Sequence, residues 1–169
     1  MEKEIIQTAQ TPVTSEELLK HWQGHRRLSR KVIEAFPEDK LFSHSIGGMR
    51  PFSELAQEMI EMAAPGIHGM VTGEWVKFDD LKQFAGKPTP KTKEEILALW
   101  DEITSLIDQE WSKIPVERFH EVDKAYGQYE GTMISFLFYF FDNEVHHRGQ
   151  GYVYLRSLGI TPPFFWERD

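Results

Sequence analysis

The sequence contains no cysteine among its 169 residues, and it is poor in positive charge. The first absence excludes disulfide bonds, thiolate metal sites and cysteine nucleophiles, so any metal ion would need nitrogen or oxygen ligands. The formal net charge of -8 argues against a general affinity for nucleic acid or anionic lipid. No apolar run is long enough to span a bilayer, and residues 1–11 lack the basic and apolar regions of a signal peptide. We therefore expect a cytoplasmic protein without a nucleic-acid or membrane partner.

What the chain does contain is apolar side chains at helical spacing. A hydrophobic content of 40% at this length supports one domain, residues 1–169, with a substantial core. Four segments show the helical period, and almost none shows the alternation typical of strands. Two of them open with a capping box, formed by Thr14 with Glu17 and by Thr92 with Glu95. These patterns predict an all-α fold, a four-helix bundle without significant sheet.

Proline and glycine set the predicted ends of these helices. The first helix stops before Pro37, and the second, which begins near Pro51, stops at Pro65 because proline cannot continue a helix. The fourth runs from about Gly131 to Leu158, where Gly159 supplies a left-handed cap. Residues 64–91, between helices two and three, are rich in glycine and proline. They predict a long crossover connection, which either only links the helices or covers a site.

The fourth predicted helix carries the string HHRGQ at residues 146–150. At a rotation of about 100° per residue, His147 shares the apolar face, whereas His146 and Arg148 fall on the two flanks. The residues that share this face with His147 are Phe136, Phe140, Tyr154 and Leu158. A buried imidazole needs a hydrogen-bond partner or a metal ion for each ring nitrogen. Asn143 lies one turn before His147, so the pair is either hydrogen-bonded or shares an ion.

Two other segments hold candidate side chains. In the second helix Glu58 borders the apolar face, beside a row of polar residues, so it is either a ligand at the edge of the core or part of a solvated acidic surface. In the first helix His25 falls on the apolar side and His21 on the exposed side. We expect His25 to line the core or a pocket rather than to bind a metal.

The string HHRGQ, followed by YLRSLGITPP, resembles the DinB family, also called the DinB/YfiT-like metalloenzymes. A looser similarity runs through FPEDKLFSHSIGGMRPFSELAQEMIEM, so that the resemblance covers roughly residues 14–163. It implies a four-helix bundle with a crossover between helices two and three, often in a homodimer. It also implies a divalent metal ion held by three histidines, one in helix two and two that lie four residues apart in helix four.

Carried over to this chain, the resemblance places the metal ligands at Glu58, Asn143 and His147. Only one of the three is a histidine. A set so rich in oxygen implies zinc, nickel, manganese or iron at lower affinity than three imidazoles would give. Two interpretations follow, a variant metal site or a bundle that has lost its metal.

Two functions match these interpretations. The resemblance implies a metal-dependent hydrolase or thiol transferase that acts on a small molecule. The alternative is a non-catalytic, dimeric helical bundle, stress-related or ligand-binding, in which His147 is structural. An enzyme would need a coordination position that opens into a pocket. The segment MISFLFYFF, residues 133–141, is apolar around more of the helix than one core face requires, which favours a homodimer in both cases.

Overall fold

Most of the described chain folds into helices, and three of the long helices have a side-chain cap at the first turn. The computed structural model describes residues 12–169, so the expectation about a signal peptide in residues 1–11 concerns a segment outside this range. Over the described range the α-helices are α1 Ser15–Ala35, α2 Glu38–Ser43, α3 Phe52–Thr72, α4 Lys93–Trp111 and α5 Met133–Ser157. The strands β1 Val122–Ala125 and β2 Tyr129–Thr132 form an antiparallel hairpin, and Phe78–Asp80 and Val116–His120 form short 3-10 helices.

The predicted helix starts and the predicted cap of α5 agree with the structure. Both capping boxes are present, since Thr14 and Thr92 accept hydrogen bonds from the backbone N–H groups three residues later. The N-cap of α5 is Thr132, whose side chain accepts from the backbone N–H of Ser135. After α5, Gly159 adopts the left-handed conformation with φ +75°, as the sequence predicts.

The second predicted helix does not stop at Pro65. It corresponds to α3, which continues through this proline to Thr72 and ends at Gly73, where φ is +77°. Proline removes only one hydrogen-bond donor, and the residues beyond it continue the apolar face, with Ile67 and Met70 fully buried. The connection to α4 is therefore residues 73–92, and the prediction of a loop over 64–91 is wrong in its first part.

Two small elements were not predicted. The helix α2 has six residues and one buried apolar side chain, Leu41, which is too little for a helical period to show. The hairpin was not predicted because its apolar residues Val122 and Tyr129 are exposed, so its strands lack a buried alternating face. Apart from this hairpin, whose register pairs Val122 with Thr132, the described chain is helical, and the all-α prediction is broadly correct.

The four long helices share one hydrophobic core. Helix α3 packs against α4 and α5, and α1 packs against the same two helices. Aromatic side chains fill much of the space between them, including Trp22 and Trp100, which are almost completely buried. Gly66 lets α3 approach α5 closely, because a Cβ there would lie 2.7 Å from the ring of Phe140. Within residues 12–169 no helix is both long and apolar enough to cross a membrane.

Candidate functional site

The contact between α3 and α5 brings the three predicted site residues together. The carboxylate oxygen Oε1 of Glu58 lies 2.9 Å from Nε2 of His147 and 3.3 Å from Nδ2 of Asn143. Asn143 and His147 lie one turn apart on α5 and present their side chains to the same face of α3. His147 is buried, Asn143 is half-buried, and the side chain of Glu58 is 33% exposed. One carboxylate oxygen of Glu58 thus contacts a side-chain nitrogen of both Asn143 and His147 at the edge of the core.

The other ring nitrogen of His147 is held by Gln150, one turn further along α5. Nδ1 of His147 lies 2.8 Å from Oε1 of Gln150, while the Gln150 amide nitrogen faces the sulfur of Met49 at 3.5 Å. An amide oxygen only accepts, so Nδ1 carries the proton in this contact. In the neutral imidazole the lone pair on Nε2 then points at the carboxylate of Glu58.

Glu58 has a third partner, which the sequence did not indicate. Arg50, in the segment before α3, donates from Nη2 to the second carboxylate oxygen of Glu58. Partial burial raises the pKa of Glu58, but the hydrogen bond from Arg50 and the contact with His147 outweigh it and hold the pKa below its usual range. Glu58 is therefore a carboxylate at neutral pH, neutralised in part by a half-exposed guanidinium.

The donor set has the chemistry of a weak, oxygen-rich metal site. Oδ1 of Asn143 is buried and has no hydrogen-bond partner, so one acceptor at the cluster is unsatisfied. Two ligand atoms bound about 2.1 Å from one ion at a right angle are about 3.0 Å apart, close to the contact between Glu58 and His147. Nowhere in residues 12–169 do three or more His, Cys, Asp or Glu side chains gather as a metal cluster, because the third donor here is an amide. The residues present therefore fit a divalent ion.

Two clefts open on Glu58. One of about 320 Å³ lies between α3 and the segment after it, and the lining residues are Glu58, Glu61, Met62, Pro65, Lys77, Phe78, Asp79 and Tyr126. The other, of about 370 Å³, includes Arg50 and shares Glu58 and Glu61 with the first. The cluster is thus reachable from solvent through its carboxylate, while His147 approaches it from the core.

His146 and Arg148 of the HHRGQ string have different surroundings. His146 is exposed, as its position on the flank predicts. Arg148 is buried, although its position on the opposite flank placed it at the boundary. It donates from Nη2 to Nδ1 of His25 at 3.0 Å and from Nη1 to Oγ of Ser29 at 3.1 Å. The string therefore serves both the candidate site and a second polar cluster.

That second cluster is a buried network between α1 and α5. Ser29 donates to Oε1 of Glu144 at 2.7 Å, and the buried Arg26 lies 3.8 Å from the other carboxylate oxygen of Glu144. His25 is buried, as predicted, and its second ring nitrogen contacts that of His21 at 3.0 Å. Burial and the charge of Arg148 lower the pKa of His25 to about 3. The only available signal for this network was the set of polar residues at helical spacing in α1, which resembles an exposed face.

Comparison with known proteins identifies the family and agrees with the fold. The model of the DinB family matches residues 7–168. The chain is 24% identical over 157 residues to the uncharacterized protein YjoA of Bacillus subtilis, a match that covers 91% of this chain and 97% of YjoA. The protein belongs to the DinB family.

Solved structures of DinB-like proteins show the same fold. The structure of YjoA from Bacillus subtilis superposes with a TM-score of 0.72 at 18% identity, covering 88% of this chain and 97% of YjoA. A DinB-like protein from Bacillus cereus gives a TM-score of 0.66 at 17% identity, covering 89% of this chain and 97% of the other. A structure from Exiguobacterium sibiricum gives 0.64 at 19% identity, with coverage of 86% and 91%. At these identities the similarity establishes the fold alone.

Proposed function

We propose that this DinB family protein binds a divalent metal ion through Glu58, Asn143 and His147, with zinc, nickel, manganese and iron as candidates. The observation that carries the proposal is the contact between Nε2 of His147 and Oε1 of Glu58. With Nδ1 of His147 donating to Gln150, two acceptors face each other at 2.9 Å. Such a contact is favourable only when a proton or a cation lies between the two atoms. The unsatisfied Oδ1 of Asn143 supports the cation.

The reaction class that we propose is hydrolysis or thiol transfer on a small molecule. A divalent ion at this cluster would supply Lewis-acid activation of a water or thiol nucleophile. The chain's own residues supply the rest of the site. Gln150 fixes the orientation and tautomer of His147, as hydrogen-bonding partners of ligand imidazoles commonly do. Glu58 opens the cluster to the two clefts, where a substrate can enter.

The proposal also includes the finer architecture and the assembly. We assign the four long helices to a four-helix bundle in which residues 73–92 cross over between α3 and α4. We further propose a homodimer, because α5 exposes apolar side chains that its core face does not need; these are Phe138, Tyr139, Val145 and Val153. The proposed cytoplasmic location rests on the composition of the chain. Light scattering that gives a monomer mass at all concentrations would contradict the dimer.

One observation favours a non-catalytic alternative. Arg50 already neutralises Glu58, and Asn143 and His147 also contact this carboxylate. If the proton rather than a metal ion joins His147 to Glu58, the cluster is a structural ion pair between α3 and α5. The protein would then be a dimeric, stress-related or ligand-binding bundle that has lost the metal of its family.

Metal titration of purified, chelator-treated protein separates these alternatives. We expect about one zinc, nickel, manganese or ferrous ion per chain by elemental analysis after dialysis, with a calorimetric binding isotherm for at least one of them. Glu58→Gln should lose this binding. Glu54→Gln is the matched control, because Glu54 is an exposed acidic residue on the same helix. Absence of binding for all four ions would overturn the metal site and favour the structural ion pair.

A further inference from the structure

An aromatic pocket lies next to the candidate site. It has a volume of about 390 Å³, within the range of small-molecule sites. The lining residues are Met62, Trp75, Ala125, Tyr126, Tyr129, Ser135, Phe136, Tyr139 and Phe140. Within the described residues 12–169, the side chains that line this pocket are all uncharged. The pocket is therefore suited to an apolar group, and above all to one that can lie against aromatic faces.

The wall of this pocket is built from rings held in place by other contacts. The indole N–H of Trp75 donates to Asp123 at 3.2 Å, and its ring packs edge-on against Phe136 with 5.2 Å between centroids. The ring also covers Gly69 so closely that a Cβ there would lie 2.5 Å away. A preformed wall of this kind lowers the entropy cost of binding, because few side chains must become ordered.

Tyr126 adds an unusual backbone conformation to this wall. It has φ +54° at the tip of the hairpin, a left-handed conformation that a residue with a Cβ adopts at some cost. Its ring lies 5.8 Å from that of Trp75 and lines both the aromatic pocket and the cleft that contains Glu58. Met62 likewise lines both spaces. The pocket and the cleft are therefore adjacent, with Tyr126 and Met62 at their common border.

The charges along the cleft determine which polar group a ligand can place there. Three carboxylates, Glu58, Glu61 and Asp79, line the cleft against one cation, Lys77. Aromatic faces beside them also attract a cation through their negative π surfaces. A ligand with an apolar body in the pocket is complemented best by a positively charged end in the cleft.

We propose that the pocket and the cleft together bind a small primary amine with an aromatic body. The inference deepens the proposed function and rests on it for the chemistry, since it assigns a substrate class to the same site. The aromatic body lies between Tyr126, Trp75 and Tyr139, and the ammonium group faces Glu61 and Asp79.

Three probes that share a 2-phenylethyl body test the charge preference on the full chain. They are 2-phenylethylamine, 2-phenylethanol and 3-phenylpropionate, titrated by ligand-observed NMR into chelator-treated protein. We expect saturable binding of the amine about tenfold tighter than that of the acid, with the alcohol between them. No saturable binding of the amine, or equal binding of the amine and the acid, would overturn the proposal.

Two variants locate the binding. Tyr126→Asn should weaken all three probes about fivefold or more, because it removes the shared wall while asparagine tolerates the left-handed conformation. Glu61→Gln should reduce only the preference for the amine over the alcohol. The control Phe165→Ala removes an exposed aromatic ring outside the pocket and should change nothing. Unchanged amine binding by Tyr126→Asn, with its thermal unfolding as in the parent chain, would overturn the assignment.

Metal titration of the same samples keeps this inference separate from the proposed function. Neither Tyr126 nor Glu61 is a proposed ligand, so both variants should bind metal as the parent chain does. Metal binding without amine binding would overturn only the amine site. Amine binding without metal binding would overturn only the metal site.

Discussion

Glu58 on α3 and His147 on α5 approach to 2.9 Å although 89 residues separate them in the chain. Because one is held by Arg50 and the other by Gln150, the contact connects two hydrogen-bonded side chains rather than two free ones. A metal ion at this position would have to share Glu58 with Arg50. Substitution of Arg50 should therefore change the affinity for metal.

Replacing His147 tests the nitrogen ligand. His147→Ala removes the only imidazole of the proposed set, so the metal content of purified protein should fall by more than the roughly 10- to 100-fold that loss of an outer partner causes. His146→Ala is the control, because the neighbouring imidazole is exposed and is not a proposed ligand. Elemental analysis after dialysis measures both. Equal metal content in the two variants would show that His147 is no ligand.

Replacing Asn143 tests the amide. Asn143→His restores the pair of histidines, one turn apart, that the family resemblance implies, and an imidazole nitrogen is a stronger ligand for zinc or nickel than an amide oxygen. We expect the affinity for these ions to rise about tenfold or more in calorimetric titrations. Unfolding in denaturant provides the control for a change in the fold. An unchanged or weaker affinity in a folded variant would contradict a ligand role for this position.

Arg50 should act as a competitor of the metal ion. Arg50→Gln removes a guanidinium that binds Glu58 and repels any cation beside it, so metal affinity should rise severalfold. Arg30→Gln is a matched control, since Arg30 on α1 forms a comparably exposed ion pair with Asp101 on α4. A fall in affinity in Arg50→Gln alone would mean instead that Arg50 orients the carboxylate.

The parts of this fold that could be predicted are those set by local sequence. Thr14 and Thr92 predict the starts of their helices from the sequence, because a capping box involves residues only three positions apart. The prediction that the helix ends at Pro65 was wrong, because burial of Ile67 and Met70 further along α3 outweighs the local preference of proline. The hairpin at Tyr126 depends on a conformation that its own side chain disfavours, so no propensity could indicate it.

For the candidate site, helical periodicity predicted which face of its helix each side chain occupies, but not which side chains it contacts. It placed His147 and Asn143 on one inward face and Glu58 at the edge of another, and the family resemblance supplied their pairing. Arg50 could not be found in this way, because it lies in a segment without helical period. The network of Arg148, Ser29 and Glu144 was missed because buried polar side chains give the same sequence pattern as exposed ones until their partners are known.

The buried His25 should make stability depend on pH. Its pKa is lowered from 6.5 to about 3, so the unfolded chain binds a proton between these values that the folded chain does not bind. Stability is therefore fully present above about pH 6.5 and falls toward about pH 3, by at most about 1.4 kcal/mol per pH unit. His25→Gln cannot titrate and should flatten this dependence in urea unfolding from neutral pH to about pH 5. The exposed His146→Gln should retain the parent slope. Parallel slopes for the parent chain and His25→Gln would contradict this role for His25.

Two glycines of α5 provide the last test, because they share one helix and differ only in their surroundings. A Cβ at Gly151 would lie 2.5 Å from the ring of Phe52, which is completely buried, and 3.0 Å from Val32. Gly151→Ala should therefore reduce the free energy of unfolding by about 1–3 kcal/mol, the cost of overpacking a core. Gly149 is exposed and has nothing near its Cβ position, so Gly149→Ala should increase the free energy of unfolding by about 0.5–1 kcal/mol, the helix preference of alanine over glycine. Urea unfolding of both variants measures the difference. An increase in the free energy of unfolding for both variants would show that α5 does not pack against α1 and α3 as closely as Gly151 indicates.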